Sequence, residues 1–173
     1  MTTDDTTDSQ PPEGMQAPEP EEEHQWLAQL LGDWTFDGEA EMGEGKPPAK
    51  FEGRESVRAL GEVWILSEGE SPLPDGGVAR SVMTLGYNPQ KQRFTGTFIS
   101  SMMTHLWLYE GTLDEAQRVL TLASEGPGMT PGTTARYKDV IEIDGDDRRT
   151  MSSFVEGEGG SWNRIMTMRY RRA

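Results

Sequence analysis

The residues of this sequence that could perform chemistry are few and lie far apart in the chain. Neither His24 nor His105 has a second histidine close by, and the 173 residues include no cysteine. A metal site would therefore need carboxylates brought together by the fold, and disulfides and thiolate chemistry are excluded. The pair Ser100 and Ser101 has no histidine at catalytic spacing. We therefore predict no catalytic residue, no metal site and no cofactor, which leaves open whether the protein is an enzyme.

Three charged side chains lie on strand faces that otherwise carry apolar or small residues: Glu55, Arg80 and Glu110. A carboxylate that faces a protein interior must be paired or hydrogen-bonded, and Arg80 is the candidate partner. If all three faces point inward, the side chains form the polar floor of a ligand pocket. If the faces are exterior, the same residues are ordinary surface charges. The alternation by itself leaves both interpretations open.

Methionine is common, with 10 residues, and many of them fall in candidate strands. Flexible thioethers suit an adaptable apolar cavity, and they suit an irregular packed core as well. Together with the three charged candidates and two aromatic residues, these methionines complete the set of candidate ligand-binding residues. The set is Trp26, Glu55, Arg80, Tyr87, Met102, Glu110, Met166 and Met168.

One amphipathic helix is predicted near the start of the chain, over residues 22–31. Trp26, Leu27, Leu30 and Leu31 recur there at helical spacing. Gly32 follows at the position where a left-handed cap ends a helix. Such a helix is positioned to cover one mouth of the structure that follows it, with Trp26 on the covering face.

After Gly32 the hydrophobic period changes to two, which is typical of half-buried strands. The predicted strands cover residues 34–42, 50–59, 63–70, 78–87, 93–103, 105–113, 118–124, 133–143, 148–156 and 162–171. Short connections without a second helix favour an antiparallel up-and-down meander. Ten strands without long unpaired edges favour closure into a barrel, and glycines inside the strands suit its bending. A two-sheet sandwich is the alternative.

Charge and length define the organisation of the chain. Residues 1–23 hold eight acidic and no basic residues, so the rest of the chain carries only −6 of the formal net charge of −14. We expect residues 1–21 to form a disordered acidic tail and residues 22–173 to form one barrel domain. The acidity argues against nucleic-acid binding and against an acidic membrane surface. No apolar run is long enough to span a membrane, and we expect a cytoplasmic protein. The sequence does not specify its oligomeric state.

Several short motifs match family patterns. Gly32-Asp33-Trp34, at the junction of the helix and the first strand, is similar to the Gly-x-Trp element of lipocalins. A longer set resembles a bacterial family of unknown function, DUF 1579, over residues 24–172. That set comprises His24, Leu31 to Trp34, Gly61, Leu85 to Asn88, Gly96 to Met102, Tyr109 to Asp114, and Met168 to Tyr170. The resemblance implies a calycin-like, lipocalin-like barrel and assigns no activity.

The lipocalin resemblance also implies a contact for the tryptophan. An arginine of the last strand packs over it in that pattern, and Arg169 or Arg171 is expected to do so against Trp34. Haem-binding nitrobindins resemble this barrel and use a histidine near the chain end, whereas residues 165–168 read Ile-Met-Thr-Met. The resemblance therefore adds no cofactor.

The sequence supports a barrel that binds a small, mainly apolar molecule in its interior. One alternative is an enzyme that uses Glu55 or Glu110 together with Tyr87 or His105 in the cavity. The other is an interaction module with a packed interior. An enclosed void with converging ionisable groups would favour the enzyme, and an interior filled by side chains would favour the module.

Removal of residues 1–21 should leave the thermal stability essentially unchanged, because this segment offers no apolar face to bury. Thermal melts of the full chain and of the shortened chain test this expectation. A large drop in melting temperature would show that the tail docks on the domain.

Overall fold

Ten antiparallel strands and one short helix make up the computed structural model, which describes residues 17–173. The elements are α1 Glu22–Ala28, β1 Gly32–Ala40, β2 Ala49–Leu60, β3 Trp64–Pro72, β4 Val78–Asn88, β5 Arg93–Ser100, β6 Trp107–Leu113, β7 Val119–Pro127, β8 Thr134–Ile143, β9 Arg148–Glu156 and β10 Trp162–Arg172. Each strand pairs with the next in sequence, and β1 pairs with β10 to close the barrel. The predicted up-and-down barrel is confirmed.

Most predicted boundaries lie close to the observed ones. The largest differences are three residues. The strand β5 ends at Ser100 because the following residues, including Met102, form a turn, while β7 continues to Pro127 and α1 ends at Ala28. The predicted acidic tail falls mainly on residues 1–16, which lie outside the described part of the chain. Glu21, assigned to that tail from the sequence, is the N-cap of α1, and its carbonyl accepts hydrogen bonds from the backbone N–H of His24 and Gln25.

Side chains alternate between the interior and the outer surface because the strand pleat has a period of two. In β1, Trp34 and Phe36 are buried while Thr35 between them is exposed. Large apolar side chains fill the half of the barrel next to α1. The fully buried ones are Leu27, Trp34, Leu85, Phe94, Leu120, Leu122 and Ile141. The other half includes many small inward residues, such as Gly38, Ala79 and Ser81, which leaves space there.

The helix α1 closes one end of the barrel. Leu27 is buried, and Trp26 packs edge-on against Phe94 and donates its indole N–H to the Gln117 carbonyl over 2.8 Å. His24 accepts a hydrogen bond from the Glu21 N–H at Nδ1, so its Nε2 carries the proton that is donated to the Tyr87 carbonyl. These contacts attach the helix to the ends of β4 and β5 and to the turn before β7. The helix is therefore bonded to the rim of the barrel.

Trp34 anchors the junction between α1, β1 and β10. It is 2% exposed, and its indole N–H donates to the Leu30 carbonyl over 2.9 Å. The Arg172 guanidinium lies 4.3 Å from the centre of the Trp34 ring, and that of Arg149 lies 4.7 Å away. The expected arginine of the last strand is therefore present over the tryptophan, but it is Arg172.

The expectation that Arg169 or Arg171 covers Trp34 is wrong. Both side chains lie on the outer face of β10, where they pair with Asp37. Arg172 pairs in register with Trp34 and also donates to the Leu31 and Gln29 carbonyls at the end of the helix. Gly32 is needed beneath it for two reasons. Its φ is +115°, and a Cβ at this position would lie 2.7 Å from Arg172 Nη1.

Replacement of Trp34 by alanine should lower the free energy of unfolding by about 3 to 5 kcal/mol, because a large buried side chain leaves a cavity and two arginines lose their ring contact. Urea denaturation measures the loss. Thr35→Ala, on the outer face of the same strand, should change it by less than about 0.5 kcal/mol. Equal effects of the two substitutions would contradict the anchoring role of Trp34.

Candidate functional site

A large cavity occupies the half of the barrel away from α1. Its volume is about 1280 Å³, and its wall reaches from Leu30 beneath the helix to residues at the opposite end of the strands. The loops at that opposite end contribute Met42, Leu73 and Met103 to the wall. Since Met42 and Met103 are also solvent-exposed, the cavity has its mouth on this side. The helix therefore closes the floor, and the loops surround the opening.

The cavity wall is mostly apolar and carries several methionines. These are Met83 on β4, Met151 on β9, and Met166 and Met168 on β10. Aromatic rings contribute from β1, β2 and β5 through Phe36, Phe51 and Phe98. Glycines let such rings lie across neighbouring strands: a side chain at Gly38 would overlap the ring of Phe51. The wall combines rigid rings with flexible thioethers, which can adjust to a guest.

A buried ion pair lies at the floor of the cavity. Arg149 Nη2 donates a hydrogen bond to Glu55 Oε2, and the two side chains are only 5% and 13% exposed. The Arg149 guanidinium also lies 3.9 Å from the centre of the Tyr170 ring. Burial and the nearby Glu55 carboxylate raise the pKa of Tyr170, so it is a neutral phenol at physiological pH. The floor therefore holds one positive and one negative charge in contact.

A second polar cluster is buried in the barrel on the side of β6 and β8. The Tyr109 hydroxyl donates to Asp139 Oδ2, and Ser153 also hydrogen-bonds to the Asp139 carboxyl group. Burial raises the pKa of Asp139, while the two hydrogen bonds oppose that shift. Burial and the Asp139 charge likewise raise the pKa of Tyr109. Burial thus makes the charged form of Asp139 less favourable than it is in water.

The structure brings five of the eight candidate ligand-binding residues to the cavity. Glu55, Met166 and Met168 form part of the wall, whereas Arg80 and Met102 border the mouth. Arg80 is not the partner of Glu55, because its side chain is 68% exposed and its guanidinium pairs with Glu70 over 3.1 Å. The valines two positions before and after Arg80 share its face of β4, which is the outer face of the strand.

The other three candidates lie away from the cavity. Glu110 is on the outer face of β6, where Lys91 lies 3.5 Å from it, and its apolar neighbours Leu106 and Leu108 are themselves exposed. Of the two interpretations left open for this face, the exterior one therefore holds, and Glu110 does not belong to the ligand-binding candidates as a cavity residue. Trp26 is buried between α1 and the barrel, and Tyr87 borders a separate depression of about 260 Å³ beside the helix.

The most informative wall residue, Arg149, was not among the candidates. Its sequence signal is the alternation Arg149, Met151, Ser153, Val155, in which every second residue of β9 is buried. An arginine that begins such a run shares the inner face and needs an acidic partner inside the barrel. Glu55 is that partner, from a strand 94 residues away in sequence.

The residues of the enzyme alternative have separate surroundings. Glu55 pairs with Arg149, the Tyr87 ring packs against His24, and His105 Nε2 contacts the Glu125 carbonyl at the mouth end. Within residues 17–173, no group of three or more histidine, cysteine, aspartate or glutamate side chains is arranged to hold a metal ion. None of the helices in that range has the length and apolar character needed to cross a membrane.

The fold and its interior define a closed ten-stranded antiparallel barrel with a deep, mainly apolar cavity. The chain belongs to the family described as "Protein of unknown function (DUF1579)", whose model matches residues 19–172. The curated proteins compared with the chain include no match.

Solved structures share the fold at low sequence identity. Rv2717c from M. tuberculosis is 14% identical, with a TM-score of 0.56 over 86% of this chain and 96% of that one. The S-type phycobiliprotein lyase CPES from Guillardia theta is 12% identical, with a TM-score of 0.56 over 90% of this chain and 98% of that one. These likenesses concern the barrel architecture.

The raised pKa of Asp139 predicts a pH effect on stability. The folded chain holds this proton to higher pH than the unfolded chain, so the free energy of unfolding falls as pH rises from about 4 through the folded pKa. Asp139→Asn keeps an acceptor for Tyr109 and removes this titration. The free energy of unfolding of the variant, taken relative to that of wild type, should therefore increase as the pH rises from acidic to neutral.

Urea denaturation across that pH range measures the difference between the two proteins. Glu142→Gln provides the matched control, since Glu142 is exposed on the outer face of the same strand. Parallel pH profiles for wild type and Asp139→Asn would show that burial of Asp139 has no such consequence.

Proposed function

We propose that this barrel binds a small, mainly apolar molecule in its interior cavity. The observation that carries the proposal is the cavity of about 1280 Å³ inside the closed barrel. Small-molecule sites occupy roughly 300 to 1000 Å³, so the space is ample for such a guest. An interior packed by side chains, which an interaction module would have, is disfavoured by the same volume.

The composition of the wall supports an apolar guest. The inward surface is mostly apolar and combines phenyl rings, methionines and aliphatic side chains. Burial of apolar area drives binding by roughly 25 cal/mol per Å² before the costs of association are counted. The methionines add adaptability, because a thioether changes rotamer at little cost. The same wall can therefore accommodate guests of different shapes.

The two ends of the barrel have different roles in this proposal. At the closed end, α1 and Trp34 hold a fixed floor through Arg172 and the buried leucines. At the open end, exposed apolar side chains such as Met42 and Met102 continue the cavity wall to the surface. A guest would enter between the loops and move toward the floor.

A pair of matched double variants tests the proposal. Ser81 and Ser100 face each other on the inner surface of β4 and β5, and Val82 and Ile99 form the next register pair, on the outer surface. Ser81→Phe with Ser100→Phe should fill the mouth and weaken binding of the uncharged fluorophore N-phenylnaphthylamine by about tenfold or more, equivalent to about 1.4 kcal/mol. Val82→Phe with Ile99→Phe should leave its affinity unchanged.

Fluorescence titration measures both affinities, and a thermal melt of each variant verifies folding. Equal affinities for the inner and outer variants would place the fluorophore outside the barrel and refute the proposal. Native mass spectrometry of protein purified from its own host adds an independent observation, because a retained small molecule would appear as a defined mass increment.

A further inference from the structure

The buried pair of Glu55 and Arg149 determines what kind of polar group the cavity floor can accept. Other charged residues on the wall lie toward the mouth and are at least partly exposed. Among them, Asp37 pairs with Arg169 and Arg171, and Glu70 pairs with Arg54 and Arg80. Within residues 17–173, Glu55 and Arg149 are the charged wall residues that are deeply buried. Their charges cancel, so the floor is polar but carries no net charge.

Arg149 retains hydrogen-bonding capacity beyond its ion pair. A guanidinium has five N–H donors, and the bond to Glu55 uses Nη2. Arg149 Nε is buried and has no hydrogen-bond partner among the described residues. Nε is closed off from the cavity, but the side chain as a whole borders the cavity and is 5% exposed, so its remaining Nη hydrogens are the donors that a guest oxygen can reach. The neighbouring Tyr170 and Ser67 are neutral groups, so they add no charge to the floor.

A guest carboxylate meets a different situation from a guest hydroxyl or carbonyl. Glu55 already neutralises Arg149, so an added carboxylate would leave one uncompensated negative charge in the buried floor, which is strongly unfavourable. An alcohol, ester or ketone oxygen accepts a hydrogen bond from the guanidinium without changing the net charge. The floor therefore discriminates between acids and neutral amphiphiles of equal length.

We propose that the cavity selects uncharged amphiphiles. The apolar body of such a molecule lies along the apolar cavity wall, and its single neutral acceptor oxygen binds Arg149 at the floor. This proposal rests on the proposed function, because it names the ligand class of the same cavity. Glu55 is then the specificity-determining residue. It excludes carboxylates because it already neutralises the charge of Arg149, and it orients the guanidinium toward the neutral acceptor.

Two probes of equal chain length, dodecanol and dodecanoate, test the selection at neutral pH by displacement of N-phenylnaphthylamine from the full chain. Dodecanol should compete at least about tenfold better than dodecanoate with the wild-type protein, because the carboxylate would leave an uncompensated negative charge in the buried floor. In Glu55→Gln, Arg149 carries an uncompensated positive charge, and the preference should reverse in favour of dodecanoate. Glu68→Gln, on the outer face of the neighbouring strand β3 and away from the cavity wall, should keep the wild-type preference.

A second variant decides the question if Glu55→Gln fails to fold. Replacing both members of a buried ion pair with apolar residues is often tolerated, because no unpaired charge is left behind. Glu55→Met with Arg149→Met should still bind the fluorophore, bind dodecanol about fivefold or more weakly than wild type, and continue to reject dodecanoate. Unchanged dodecanol affinity in this variant would refute the role of Arg149.

The outcomes separate this inference from the proposed function. Absence of fluorophore binding to wild type would end the proposed function and the ligand class with it. Fluorophore binding combined with equal or better competition by dodecanoate would overturn the selection of neutral amphiphiles alone. Retention of the dodecanol preference in folded Glu55→Gln would likewise overturn the role of Glu55.

Discussion

The stacking of two arginines on Trp34 is the interaction on which the rest of the structure depends. A barrel made from one meander closes only if its first and last strands stay paired, and Trp34 lies at the helix end of that seam. Arg172 covers the ring and donates to carbonyls at the end of α1, so one side chain connects the seam to the floor. Cations at a helix C-terminus are also favoured by the helix dipole. Closure of the barrel and closure of its floor therefore depend on the same side chain.

Arg149 extends this anchor into the cavity. Its guanidinium contacts the rings of Trp34 and Tyr170 and pairs with Glu55, so a group on the cavity wall is held by the most rigid part of the core. Binding groups need such support, because small displacements weaken directional contacts. The same arrangement ties stability to the site. A substitution at Arg149 alters packing and cavity polarity together, and only paired substitutions separate the two effects.

The fold was predictable because period-two alternation and turn residues are local signals, and all ten strands carry them. The orientation of individual faces was harder, since Leu106 and Leu108 are exposed and made the face of Glu110 resemble a core face. The arginine over Trp34 was within reach: Met166, Met168 and Tyr170 alternate inward on β10, and Arg172 continues that face. The pairing of Glu55 with Arg149 joins β2 to β9, and no local pattern specifies such a contact across the barrel.

The methionines around the mouth give the barrel a chemical sensitivity that its buried wall does not share. Met42, Met102 and Met103 are exposed, whereas Met151 is buried. Oxidants convert a thioether to a sulfoxide, which is polar and larger, and exposed residues react first. Oxidative conditions would thus turn an apolar opening into a polar one while the floor stays intact. Under the proposed function, entry of an apolar molecule would therefore depend on the oxidation of these methionines, in a chain that contains no cysteine.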